Sequence, residues 1–293
     1  MGWLETHRGT VCRWEVDHVD HFTVAYYFAR FQEATATLLA ALGLDPAARG
    51  RSAPACRVEG CHVRYLRELR AGDLLHIRSG VSALDGPSLT LVHEVYDSGD
   101  GACCTTVVQR ARLAGPDGAP APDDERRRAA ERYRVDWEPP AGERPAAPPP
   151  RGDEGFVDAA RDVVKPGEVD AEGHATWAAY IHRFSAANGQ AIAAFGMTPA
   201  YMRAERRGFS TFEFRLELPG ALAAGDPVLV RSGLVHLGTS SLRLLHRLAN
   251  ARTGQVAATL EQAGVHLDLD ARRPVALPDA LRDRARALVV PRS

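Results

Sequence analysis

From Tyr27 onward, apolar side chains return every three or four positions: Tyr27, Phe28, Phe31, Ala34, Leu38, Leu39 and Leu42. That spacing draws one stripe along a helix. Gly43 stands where a C-terminal stop belongs, and Pro46 blocks continuation. The same signal returns with Trp177, Ile181, Phe184, Ala187, Ala191, Ile192 and Phe195, followed by Gly196 and Pro199. Further on the period changes to two. Leu89, Leu91, His93 and Val95 alternate with Thr90, Val92, Glu94 and Tyr96, as in a strand. Strand-like runs are predicted at about 56–70, 73–84, 88–97 and 102–113, and again at 208–222, 226–237, 241–250 and 255–266. "DSGDGA" and "NARTGQ" read as the turns of the last hairpin in each set. A shorter strand-like run precedes each helix, at 8–16 and 161–169, and a short charged helix closes each set.

The two sets are copies of each other. "DHVDHFTVAYYFARF" from Asp17 and "DAEGHATWAAYIHRF" from Asp170 share Asp, His, Thr, Tyr, Arg and Phe at the same steps, an offset of 170 − 17 = 153. At that offset Glu15 meets Glu168, "AGD" at 71–73 meets "AGD" at 224–226, and "RSG" at 78–80 meets "RSG" at 231–233. His93 meets His246 and Gln109 meets Gln262. After a three-residue insertion, Pro122 meets Pro278. A repeat this long is a duplicated domain. Between the copies lies "EPPAGERPAAPPPRGDEG", whose prolines favour an extended spacer. The expected organisation is one domain over 1–137, a Pro-rich linker over 138–155, and a second domain over 156–293.

Composition narrows the function. Of the 293 residues 45% are hydrophobic and 25% charged, as in globular proteins, and the net charge is −1. Such a balance gives no reason to expect nucleic acid or an acidic membrane as partner. The five cysteines are odd in number, lie in the first half and form no C-x-x-C pair. They point away from a disulfide framework or zinc site and toward a reducing cytoplasm. "DHVDH" contains metal-ligand types, but the second copy keeps one of its two histidines, so no metal is expected.

Each copy reads strand, long apolar helix, four antiparallel strands, which is an α+β order with the helix covering the apolar face of the sheet. Asp170, Gly173, His174 and Tyr180 form D-x-x-G-H-x-x-x-x-x-Y leading into that helix. This resembles the 4-hydroxybenzoyl-CoA thioesterase-like group of hotdog acyl-CoA thioesterases. "YLRELRAGDLLHI" at 65–77 is also similar to a strand pair of that family. The first copy keeps Asp17, His21 and Tyr27 but carries Asp20 in place of the glycine. The resemblance implies two tandem hotdog domains, each a long helix wrapped by an antiparallel sheet. It implies a pseudo-dimer within one chain, with sheets paired edge to edge and each site drawing on both copies. It leaves room for a homodimer of chains.

The resemblance also implies hydrolysis of an acyl-CoA or acyl-carrier-protein thioester, with coenzyme A as part of the substrate and no separate cofactor. Asp170 and Asp17 are then the catalytic carboxylates, attacking the carbonyl or activating water. The unpaired amides at the helix start, near Val24 and Trp177, are the oxyanion hole. Thr23, Thr176, His21, His174, Tyr27 and Tyr180 complete the substrate-binding set. Asp20 adds a side chain and a like charge near Asp17, which makes the second site the better formed. The bland readings are a helix-capping loop carboxylate for each Asp, satisfied strand histidines for His93 and His246, and solvent-exposed helix positions for Glu33, Arg30 and Arg183. Two other functions compete: a non-catalytic acyl-thioester-binding protein and an enoyl-CoA hydratase or dehydratase. The latter resembles D-x-N-P-x-H, which this sequence lacks.

Overall fold

The computed structural model describes residues 2–17, 19–44, 55–114, 123–139, 150 and 152–290. The chain divides into two compact units, Met1–Glu143 and Arg144–Ser293. Pro46 and most of the predicted linker lie outside the described residues.

The first unit runs β1 (Leu4–Thr10), a 3-10 turn (Arg13–Glu15), α1 (Val24–Ala41), β2 (Ala55–Tyr65), β3 (Leu74–Asp85), β4 (Ser88–Asp97), β5 (Cys103–Ala114) and α2 (Asp123–Arg132). Its strands lie side by side as β1-β3-β4-β5-β2, every pair antiparallel. The second unit runs β6 (Val157–Val163), a 3-10 turn (Pro166–Glu168), α3 (Trp177–Ala194), α4 (Pro199–Ala204), β7 (Arg207–Glu217), β8 (Pro227–Leu237), β9 (Ser241–Asn250), β10 (Val256–Asp268), β11 (Arg273–Pro274) and α5 (Asp279–Ala287). Its order is β6-β8-β9-β10-β7, again antiparallel, with β11 on β10. Even the irregularities recur. The shift between Val81 and Ala83 returns between Leu234 and His236, and that between Glu5 and His7 returns between Asp158 and Ala160.

The stripe residues build the cores. Phe28, Phe31, Ala34 and Leu38 of α1 are fully buried, as are Ile181, Phe184 and Ala187 of α3. Leu38 joins Leu89, Leu91 and Leu113 in one cluster, and Ile192 and Phe195 join Leu242, Leu244 and Leu281 in the other. Burying each such side chain contributes about 1.5–3 kcal/mol, which a sheet face alone could not gain. No described helix is long and apolar enough to cross a membrane.

Several expectations need correction. The leading strands end at Thr10 and Val163, and the residues that follow fold into 3-10 turns instead. There the carboxylates of Glu15 and Glu168 accept the amides of Cys12 and Lys165, each at 2.8 Å, and turn the chain. The strand expected over 56–70 stops at Tyr65. Pro199 does more than block α3. It occupies the first turn of α4, with Thr198 as its N-cap.

The repeated "RSG" has a packing cause. A Cβ on Gly80 would lie 2.7 Å from Val135, and one on Gly233 2.7 Å from Phe156. In each unit the segment after the closing helix runs beside the strand, with Val135 N–H donating to Val81 O and Val290 N–H to Leu234 O. Only glycine admits that approach.

Candidate active site

The loops carrying Asp17 and Asp170 are built alike. Asp170 Oδ1 accepts the amides of Glu172 at 3.0 Å and His174 at 2.9 Å, while its own amide donates to His174 O at 2.8 Å. Asp17 Oδ1 accepts Val19 N–H at 2.9 Å and His21 N–H at 3.0 Å, and its amide donates to His21 O. One oxygen of each carboxylate thus closes its own loop, as aspartates do in tight turns. The turn needs a left-handed residue at its third step. Gly173 takes φ 83° and Asp20 takes φ 64°. Nothing lies within 4 Å of a Cβ built on Gly173. The glycine is therefore there for its backbone angle and not for close approach, and Asp is among the few other residues that tolerate the angle. The Asp20 side chain turns to Arg13, 2.5 Å away.

Each loop is strapped down on both sides. Phe22 N–H donates to Leu69 O, and Ala175 N–H to Leu222 O. Thr23 N–H and Thr176 N–H donate to Glu15 O and Glu168 O, both at 2.8 Å. The same glutamates take the helix arginines, Arg30 on Glu15 at 2.7 Å and Arg183 on Glu168 at 2.8 Å. Arg183 also reaches Asp162 Oδ1 and the carbonyls of Ala179 and Val163. It is 4% exposed, so the expectation of a solvent-facing helix arginine fails there. Desolvation opposes ionisation of Glu168, yet Arg183 and the Lys165 amide hold its pKa below the usual range. This Glu–Arg brace was not singled out from the sequence as part of the site. Its signal was the recurrence of both residues at one offset.

Thr23 and Thr176 are the residues before the helices, and α1 and α3 start at Val24 and Trp177. Thr176 Oγ1 accepts the Ala179 amide, so its hydroxyl oxygen serves as an N-cap. Thr23 makes no such bond. Both helices thus begin beside the Asp loops, with the positive end of each helix dipole facing its loop. His21 Nε2 meets Glu68 Oε1 at 2.9 Å, and the His174 backbone pairs with Ala223. The structure places Tyr27 and Tyr180 in the cores, 4% and 3% exposed. Tyr180 Oη accepts the Leu222 amide at 3.2 Å, and burial holds the Tyr27 hydroxyl well above its ordinary pKa. Asp170, Glu172 and His174 bring three ligand-type atoms within 4.8 Å of one another on an exposed loop. The first copy has Val19 where the second has Glu172.

Beneath each helix lies a buried polar chain. Ser79 Oγ is 2.6 Å from His93 Nδ1, and Ser232 Oγ is 2.7 Å from His246 Nδ1. Gln262 Oε1 lies 3.3 Å from His246 Nε2, and Gln262 donates to Thr211 Oγ1. Burial pushes both imidazoles down to about 4, against smaller opposing bonds from Gln109 and Gln262. These histidines are fully enclosed. Glu33, by contrast, is half exposed and meets His7 and Arg30.

The sequence profile of the thioesterase-like superfamily matches residues 11–128 and 164–285. Betainyl-CoA thioesterase of Pseudomonas aeruginosa is 30% identical over 120 residues, 40% of this chain and 76% of that protein. L-carnitine dehydrogenase/betainyl-CoA thioesterase of a Rhizobium species is 27% identical over 120 residues, and the match spans 41% of this chain but 24% of that longer protein. Among solved structures, an acyl-ACP thioesterase from Bacteroides thetaiotaomicron superposes with a TM-score of 0.68 at 12% identity, covering 90% of this chain and 97% of its own. The 12:0-ACP thioesterase from Umbellularia californica gives 0.67 at 14%, covering 90% and 94%. At such identities the likeness speaks for a shared fold. With both copies matched by one profile and the hotdog thioesterase fold in place, the chain belongs to the thioesterase-like superfamily and is by class a thioester hydrolase.

Proposed function

We propose that the chain hydrolyses an acyl-CoA or acyl-carrier-protein thioester in two tandem hotdog domains, with Asp170 as the principal carboxylate and Asp17 as its counterpart. The reading rests above all on one observation: a loop aspartate held three bonds deep in its own turn, running directly into the N-terminus of a long helix. The free oxygen of Asp170 takes a proton from water, and the resulting hydroxide adds to the thioester carbonyl. The oxyanion is held by the amides at Trp177 and its neighbour, or at Val24 in the first copy. The C–S bond then breaks, and the thiolate leaves with the proton, giving an acid and a free thiol. His21, His174, Thr23 and Thr176 shape the rim, and Tyr27 and Tyr180 brace the loop from the core. No cofactor beyond the coenzyme A of the substrate is invoked.

A non-catalytic, acyl-thioester-binding role draws on a specific feature as well: Asp170 already has a structural task. Asp170→Asn separates the two, because an amide oxygen still accepts from Glu172 and His174 while the charge is gone. Thiol release over short, long and aromatic acyl-CoAs is expected to fall roughly 10²- to 10⁴-fold with the melting midpoint retained. If Asp170→Asn combined with Asp17→Asn keeps the full rate, the carboxylate assignment fails.

A further inference from the structure

At the far end of the second unit, α5 and the turn between β8 and β9 line an open cavity of about 530 Å³. Its wall includes His236, Thr239, Arg282 and Arg286, with Val235 and Val289 beneath. None of its lining residues is acidic. Arg282 Nη2 lies 3.2 Å from Thr239 O and 3.3 Å from Leu277 O, which pins the guanidinium to the wall. Its Nε–H is buried and has no acceptor among the described residues. Among the described residues Arg286 pairs with Asp283 three residues earlier, at 3.0 Å and largely in solvent, a weak tether.

The cationic set is not a requirement of the fold. At the repeat offset His236 corresponds to Ala83 and Gly238 to Asp85, and after the insertion Arg286 corresponds to Ala130. The first copy keeps the fold with two alanines and an acid there. The site is also apart from the Asp170 loop. It borders the cluster containing Phe195 and Leu281, at the end of α3 opposite to Trp177. Eighteen helical residues separate the two ends, about 27 Å.

We infer that this cavity binds the phosphate group of a small molecule of nucleotide size. Arg286 offers the paired donors that match phosphate oxygens, with the Arg282 guanidinium adding positive charge in the wall and His236 standing at the rim. The volume exceeds what a bare anion fills and suits a phosphorylated organic ligand. The inference goes beyond the hydrolase reading and does not need it, since the ligand is either the nucleotide of coenzyme A or a free nucleotide.

Calorimetric titration of the full chain with adenosine monophosphate tests it, with inorganic phosphate and coenzyme A as competing arms. Saturable binding is expected, weakened at least about tenfold by Arg286→Glu and more mildly by His236→Gln. Both variants change exposed side chains and are expected to keep the melting midpoint. Asp170→Asn is expected to leave the titration unchanged, so failure of the hydrolase reading and failure of this one remain distinct. Competition by coenzyme A shows that the pocket accepts a nucleotide carried on coenzyme A, and competition by phosphate without coenzyme A shows that it takes a free phosphorylated ligand; either supports the inference. The absence of saturable binding by all three compounds, or binding that ignores both variants, overturns it.

Discussion

Gly173 and Asp20 solve one backbone problem with two residues. Both sit in the left-handed region, and at Gly173 no neighbour presses on the Cβ position. Replacing Gly173 by Ala is expected to lower stability by about 1 kcal/mol, and replacing it by Asp or Asn by less, because short polar side chains tolerate the angle. Urea unfolding midpoints of the three variants check the ranking. Equal losses for Ala and Asn would mean that the turn does not need the left-handed angle. The sequence placed Asp170 and His174 on a loop before a helix. It could not say that Asp170 spends one oxygen on that loop, because an aspartate reads the same whether it caps, turns or reacts.

At the scale of the element, the brace between helix and turn is the part least visible beforehand. Arg30 and Arg183 occupy the same helical step, yet Arg183 is enclosed by two carboxylates and two carbonyls while Arg30 retains some solvent. Truncating Arg183 leaves Glu168 facing a largely desolvated turn without its partner. Arg183→Ala is expected to cost about 2–3 kcal/mol and Arg30→Ala about 1 kcal/mol, with Arg183→Lys recovering little because one ammonium cannot serve all four acceptors. Chemical denaturation of the three variants measures this. If Arg183→Lys matches the parent chain, the brace does not depend on guanidinium geometry. The helices themselves were legible from spacing alone, since Phe31 and Phe184 lie where a period of 3.6 puts them. The leading strands were misjudged by several residues, because "RWEV" and "PGEV" look extended until the glutamate is seen folding back on the amide three residues earlier.

Across the whole molecule, the buried imidazoles of His93 and His246 tie stability to pH in both units. Each titrates at about 4 in the folded chain and at about 6.5 when unfolded. The unfolded chain therefore binds more protons throughout that window, and stability is lost as pH falls from the upper value toward the lower. The full effect is on the order of 3 kcal/mol for each histidine. Melting midpoints are expected to be level above neutrality and to drop steeply in the acid limb. His93→Gln combined with His246→Gln should flatten that limb, and an unchanged slope would assign the acid sensitivity to other groups.

The sequence by itself determined the duplication, the two long helices, the succession of strands along the chain and the position of each Asp loop. Those features follow from periodicity and from one repeat offset, which are properties of the linear chain. Only the tertiary structure decided which charged residues lie inside. It buried Arg183, locked one oxygen of Asp170 into its turn, and gathered His236, Arg282 and Arg286 around one cavity in the second copy. Burial and pairing depend on which distant segments meet, and for polar side chains nothing in the local pattern records that meeting.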